Sequence, residues 1–390
     1  MSRIARVMAR ELRRLPRLPV LLALLGPIPL AGGVLLTGVF HSEVARQLPV
    51  AILDFDGSQT ARLAARWVGA ARSVHIVARI QDLGQAEELL VQRKVYAVLV
   101  VPRHFERDLL RGRSPRVTLL YNEQYLTAGN LIVADVSRAV NTGASAVAVA
   151  RQRSRDQTAA AAEAAAEPVR VDVRVLFNPG VSYAVGVGLL LIVALMQIVA
   201  GISTIYVVGR ELSDRTAGEW LEAAGGSAVV AWIGKLAPYV IWDLLLMLVL
   251  VGGFVTWFRM PVLGNLGVLM VGALAFSLAT KVLGVLFAVW LGELGRALGL
   301  GSITFGTATA FSGVTFPRIA MSPFAQAWSG FVPLTRFMLV LRDQVMVGAP
   351  IRISARPILV LAGTALIAGL LALPRMGRVL RDPGLWGTGE

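Results

Sequence analysis

The chain has 390 residues, 56% of them hydrophobic and only 16% charged, with a formal net charge of +14 and a mean hydropathy of +0.67. Soluble domains carry roughly 25% charged residues, so the deficit indicates membrane spans and excludes a disordered, collagenous or coiled-coil chain. Without cysteine there is no disulfide, thiolate zinc site or cysteine nucleophile, and His41, His75 and His104 are not spaced as metal ligands, so no metal or cofactor is expected.

Residues 1–17 carry Arg3, Arg6, Arg10, Arg13, Arg14 and Arg17 against one acid, Glu11. They predict an interfacial helix held at the cytoplasmic membrane surface, where anionic lipid is the natural counter-charge. The first span follows at 18–40. It is too long for a signal peptide and no small-x-small cleavage site comes after it, so it is expected to remain as an anchor.

Residues 41–174 differ in kind. LPVAILDFD, SVHIVARI, VYAVLVVP and RVTLLYNE read as strands. SQTARLAARWVGAA and DLGQAEELLVQRK read as helices opened by Ser58 and Asp82. The alternation predicts an extracytoplasmic α/β domain with a mixed sheet, and the alanine-rich stretch 126–167 predicts a helical stalk back to the membrane. The domain holds 18 basic and 14 acidic residues, a net of +4. The excess of positive charge is therefore no nucleic-acid footprint, and no nucleic-acid partner is expected. The fragment DFDGS, Asp54 to Ser58, reads as turn and helix-start chemistry, because no second carboxylate cluster supports a metal or phosphoryl site.

Residues 175–390 predict five further spans, near 181–208, 236–257, 264–290, 297–317 and 357–374. A re-entrant segment at 318–355 is broken at Pro323 and Pro333. This makes an α-helical polytopic membrane protein of six transmembrane helices with both termini cytoplasmic. The basic tail, with Arg375, Arg378 and Arg381, agrees with that orientation. The segment from Arg318 to Arg356 does not: five arginines face one acid, Asp343, at the external end.

Two charges fall inside spans, Asp243 and Lys281. Together with Gln197 they are candidates either for the translocation pathway or for helix packing. Gly186-x-Gly188, Gly252-Gly253 and Gly299-x-Gly301 suit close helix contact. The only Gly-Lys pair, Gly234-Lys235, lacks the remainder of a phosphate-binding loop, so the chain is not expected to hydrolyse ATP. The loop 209–235 mixes Glu211, Asp214, Glu219 and Glu222 with Arg210, Arg215 and Lys235, and predicts a short helix from Thr216 to Ala224 ended by Gly225-Gly226. Such a helix suits receipt of force from a soluble partner, and a plain connecting loop is the rival reading.

These residues resemble the membrane subunits of type-2 ABC exporters, in the long form with an extracytoplasmic domain after the first span. The family joins its second and third spans by a sequence like R-E-x-x-x-G-T-x-E-x-L followed by G-K-x-x-P-Y. Here Arg210-Glu211, Glu219, Leu221 and Gly234-Lys235-Leu236-Ala237-Pro238-Tyr239 match, while DRTAGE departs from the family's Gly-Thr-x-Glu order. FNPG at 177–180, FSGVTFPRIAMSPF at 311–324 and VPLTRFMLVLRDQVMVGAP at 332–350 are similar to further family segments.

The resemblance implies a permease subunit of the cell (inner) membrane with no catalytic residues of its own. It implies a separate cytoplasmic ABC ATPase docked on 209–226 and a second permease copy or sibling completing the pathway. A periplasmic membrane-fusion-type adaptor is a further partner in such systems. On this reading Arg210, Glu211, Arg215, Thr216, Glu219, Trp220, Leu221 and Lys235 couple the chain to the ATPase. A membrane-anchored receptor or assembly factor, binding a ligand through its external domain, is the alternative.

Overall fold

The computed structural model describes residues 2–40, 47–71, 73–92, 94–111, 115–121, 131–143, 184–314 and 318–385. Of the predicted stalk only 131–143, which is helical, is among them; 177–180 and the first residues of the predicted second span, 181–183, lie outside. The chain divides into two compact units, Ser42–Val181 and, flanking it in sequence, Met1–His41 with Ser182–Glu390.

The smaller unit is built on a four-stranded sheet in the order β2-β1-β3-β4, with β1 Leu48–Asp54, β2 Val74–Ile80, β3 Ala97–Val101 and β4 Thr118–Tyr121. β1 is parallel to β2 and β3, and β4 returns antiparallel to β3. Central β1 and β3 are near-continuous apolar runs because both faces are covered, as parallel strands with crossover helices require. The crossover helices Gln59–Gly69 and Leu83–Val91 start where Ser58 Oγ accepts the Ala61 amide at 3.0 Å and Asp82 Oδ1 accepts the Gln85 amide at 2.8 Å. In DFDGS, Asp54 Oδ1 accepts the amides of Asp56 and Gly57, both at 2.9 Å, and Asp56 Oδ2 caps the Glu106 amide at 3.1 Å. These carboxylates are occupied by turn and cap chemistry.

In the larger unit, five helices among the described residues are long and apolar enough to cross a membrane: Pro19–Val39, Gly186–Ser213, Ala228–Trp257, Leu266–Leu291 and Ile351–Val379. The first is broken at Gly26, between Pro19–Leu25 and Pro27–Val39. Pro29 has no N–H to give the Leu25 carbonyl, and the indole of Trp242 donates to that carbonyl instead at 2.8 Å.

The sequence predicts a sixth such helix at 297–317, and here the chain departs from expectation. A helix of 13 residues, Leu294–Gly306, passes into a 3-10 turn, Thr307–Thr309, and then into irregular backbone. At 1.5 Å per residue that helix is about 20 Å long, against the roughly 30 Å of a bilayer core. Charge-free composition alone does not sustain a helix, and GTATAFSG is rich in glycine, threonine and serine, all weaker helix formers than alanine or leucine. The short helix climbs the second long helix: Gly301 sits against Ile205 and Gly201 against Phe305. Two further short helices, Pro323–Phe331 and Pro333–Arg342, begin at the two prolines.

Two apolar clusters mark opposite ends of this bundle. One gathers Val193, Phe254, Phe276, Leu334 and Phe337, with the rings of Phe276 and Phe337 stacked at 4.7 Å. The other gathers Val7, Leu212, Trp220, Ala231, Met376 and Val379. The helix before the first long helix, the loop after the second and the end of the last therefore share one end. Among the predicted glycine pairs, Gly188 abuts Phe254 and Gly301 abuts Ile205, whereas Gly186, Gly253 and Gly299 have open space around them.

Candidate functional site

The shared end is built on helix Arg3–Arg14, capped by Ser2, with Val7 and Glu11 buried on its inner face. Arg10, Glu11 and Arg14 are within one turn of one another and so reach the same neighbour. That neighbour is Glu211, in the last turn of Leu189–Ser213 and 1% exposed. Arg10 donates to both its oxygens, at 2.6 and 3.2 Å, and Arg14 donates to Oε1 at 2.6 Å. Lys235, 1% exposed, donates to Oε1 at 2.9 Å, and the Thr216 hydroxyl donates to Oε2. A single carboxylate on one helix thus holds three cations from two others. Although burial by itself disfavours the charged form, the hydrogen bond and charge of Glu211 hold the Arg10 pKa above its ordinary value.

A second carboxylate completes the balance. Glu11 accepts from Lys235 Nζ at 2.6 Å and from the Tyr239 hydroxyl at 3.3 Å. Lys235 Nζ also lies 4.5 Å from the centre of the Trp220 ring, whose indole N–H donates to the Ala231 carbonyl at 3.0 Å. Trp220 and Leu221 lie on the short helix Ala217–Ala223, one residue shorter at each end than the sequence predicts. Trp220 is buried and Leu221 packs against the same cluster. Gly225 and Gly226 end that helix with φ of +66° and +77°, the left-handed turn that the Gly-Gly pair provides.

Of the eight loop residues singled out, Glu211, Thr216, Trp220, Leu221 and Lys235 are drawn into this network or its apolar base. Arg210 turns aside to pair with Asp214 at 3.1 Å. Arg215 is exposed, and the Glu219 side chain, 71% exposed, touches Arg10 only at 3.4 Å. The sequence reading did not pair Arg10, Glu11, Arg14 or Tyr239 with the loop. The available signal was the lone acid among six arginines, placed between two of them on one helical face.

Gly234 lies where the arginine-bearing helix crosses the third long helix. A methyl group there would stand 2.6 Å from Val7 Cβ and 3.1 Å from the Ile4 carbonyl oxygen. Gly234→Ala is expected to cost about 1–3 kcal/mol by forcing that helix outward. Thermal unfolding measures the loss, and Val7→Ala in the same chain should recover part of it.

Deeper in the bundle, Lys281 Nζ and Asp243 Oδ2 form an ion pair at 3.0 Å, with side chains 0% and 3% exposed. Ser277 donates to the same oxygen at 2.7 Å. The Tyr239 ring centre is 5.8 Å from Lys281 Nζ, so Tyr239 touches the outer network with its hydroxyl and the inner pair with its ring. Gln197 is fully buried, and its amide has no hydrogen-bond partner among the described residues.

Residues 20–373 match the family model described as ABC-2 family transporter protein. The chain belongs to that family. It is a multi-pass membrane permease of an ABC transporter, the membrane component rather than the ATPase, and the family implies an ABC ATPase partner and usually a dimeric arrangement. A comparison with curated proteins gave no match.

Proposed function

We propose that the chain is the permease subunit of an ATP-driven exporter in the cell (inner) membrane, coupled to a cytoplasmic ABC ATPase through the loop 209–226. The observation that carries this reading is the division of that loop into two faces. Glu211 and Trp220 are buried against Lys235 of the following helix, while Asp214, Arg215, Glu219 and Glu222 are exposed and charged. A rigidly backed helix with a polar outer face can transmit a push; a plain connector needs no such backing. ATP-driven movement of the partner would tilt Ala217–Ala223, and Glu211 would pass the tilt to the arginine-bearing helix and the bundle.

Six crossings fit this reading. The termini of the bundle share one end, which requires an even number, and Leu294–Gly306 with the irregular residues after it supplies the crossing that the five long helices lack. Non-helical backbone is tolerated there when protein covers it. Both termini then lie in the cytoplasm, and the unit Ser42–Val181 lies outside, where a membrane-fusion-type adaptor is the expected partner. A second copy or a sibling permease completes the pathway, and Gln197, Asp243 and Lys281 are its polar candidates within the membrane.

Co-expression with the cognate ATPase subunit tests the docking face. Reversing charge on it with Glu219→Lys and Glu222→Lys should lower ATPase recovered with the purified permease at least tenfold, with thermal unfolding unchanged. Undiminished recovery and export would overturn the docking face. Cysteines introduced at Gln85 and Gly225 should label from opposite sides of the membrane, and labelling from one side would overturn the topology.

A further inference from the structure

The arginine-bearing helix meets the first and third long helices around an apolar cavity of about 310 Å³. Leu12 and Leu15 wall it on one side, Leu22 and Leu25 on the second, and Tyr239 and Trp242 on the third. Gly26, where the first long helix breaks, lines it as well. The volume is at the lower end of the range for ligand pockets, ~300–1,000 Å³. Leu12, Leu22 and Trp242 are exposed, so the cavity is open on one side. Leu22 and Trp242 belong to helices long and apolar enough to cross a membrane, and the opening between them faces the bilayer.

Every polar side chain in the lining is already engaged. Glu11 also lines the cavity, and its Oε1 accepts from Lys235 at 2.6 Å and its Oε2 from the Tyr239 hydroxyl at 3.3 Å. The Trp242 indole donates to the Leu25 carbonyl at 2.8 Å. Water or a polar solute would find no partner among these side chains, and a cavity of this kind stays dry. What fits is hydrocarbon. The charge beside the groove selects which hydrocarbon. Arg13 and Arg17, four residues apart, form the row next to Leu12 on the helix surface. Both are exposed, and neither pairs with an acid among the described residues; Arg13 Nε donates only to the Ala9 carbonyl of its own helix, at 3.1 Å.

The geometry points to this groove as a binding site for one acyl chain of an anionic phospholipid, with Arg13 and Arg17 holding its phosphate. An apolar slot open to the bilayer takes the chain, and unpaired arginines on the neighbouring row attract the headgroup. The inference rests on the chain being a membrane permease and not on the coupling reading. It gives the arginines of the first helix two separate uses. Arg10 and Arg14 bind Glu211, while Arg13 and Arg17 are left for lipid. A seated acyl chain would also brace the helix that carries Arg10, Glu11 and Arg14 against the first and third long helices.

The test uses the full chain in phosphatidylcholine vesicles that contain a trace of phosphatidylglycerol with a photoreactive diazirine on its acyl chain. After illumination, peptide mass spectrometry reads the labelled positions. Label should concentrate on Leu15, Leu22 and Trp242, and a phosphatidylcholine probe with the same chain should label them about tenfold less. Replacing both arginines, Arg13→Gln with Arg17→Gln, should lower groove labelling about tenfold as well. Leu12→Trp, which fills the mouth, should remove most of it while thermal unfolding stays unchanged. Label spread evenly over other exposed apolar residues, such as Leu248 and Leu366, overturns the site, because lipid would then only solvate the bundle. Equal labelling by the two probes, or labelling that survives both sets of changes, overturns it too. The chain has no cysteine of its own, so Leu22→Cys reports on a rival occupant. A disulfide between two copies in vesicles would show that protein covers the groove and would also overturn the proposal.

Discussion

Glu211→Ala is expected to destabilise the helical unit by about 3–5 kcal/mol, the range for removing one partner from a buried ionic network. The side chain is 2% exposed and accepts from Arg10, Arg14, Lys235 and Thr216. Its loss leaves three cations facing one another, with the Lys235 side chain only 1% exposed and Glu11 the one buried acid left to balance them. Glu211→Gln should cost less, because the amide oxygen still accepts hydrogen bonds while the charge is lost. Glu219→Ala is the contrast: an exposed pair at 3.4 Å contributes about 0–1 kcal/mol. Thermal unfolding of the three variants checks the order, and a Glu211→Ala protein within about 1 kcal/mol of wild type would show that Glu211 is not the hub of the network. If the coupling reading holds, the same variant should also lose permease-dependent stimulation of the ATPase, even below its unfolding temperature.

The elements of this chain were legible wherever a local pattern decided them. Apolar runs located the long helices, and the motif Arg210-Glu211 with Gly234-Lys235 located the loop. The helices run beyond the expected spans for identifiable reasons. The third span was expected to start at 236, because Lys235 interrupts the apolar run, yet its helix begins at Ala228. Glu11 and Glu211 neutralise that lysine, so it is buried rather than flanking. The last was expected at 357–374 but runs Ile351–Val379, since flanking arginines end a hydropathy run without ending a helix. At 297–317 the difference runs the other way: the helix ends at Gly306, in an apolar run lacking the propensity to stay helical.

The site was legible only in its local half. Glu211 and Arg10 are 201 positions apart, and no spacing rule pairs them. Arg210 looked as suitable as Glu211 from its neighbours. It differs because it projects from the helix toward Asp214, a geometric fact that chain position alone does not contain.

The pair Asp243–Lys281 yields the other large effect and separates its two candidate roles. Asp243→Asn or Lys281→Met alone should each cost about 3–5 kcal/mol, because the remaining charge is fully buried and has lost its partner. The double variant should return to within about 1 kcal/mol of wild type, since a buried pair replaced by neutral groups of similar size is often no less stable. Stability recovers in the double variant whether the pair packs helices or serves transport, so ATP-driven export decides between them. Lys281 stands 5.8 Å from the ring of Tyr239, whose hydroxyl reaches Glu11 in the network around Lys235 and Glu211. The pair therefore sits at the inner end of a continuous polar chain that starts at the loop proposed to meet the ATPase. A double variant that is stable but exports several-fold more slowly is the expected outcome, because the charges that could re-pair as the helices shift are gone. Full recovery of export would reduce Asp243 and Lys281 to a packing contact between the third and fourth long helices.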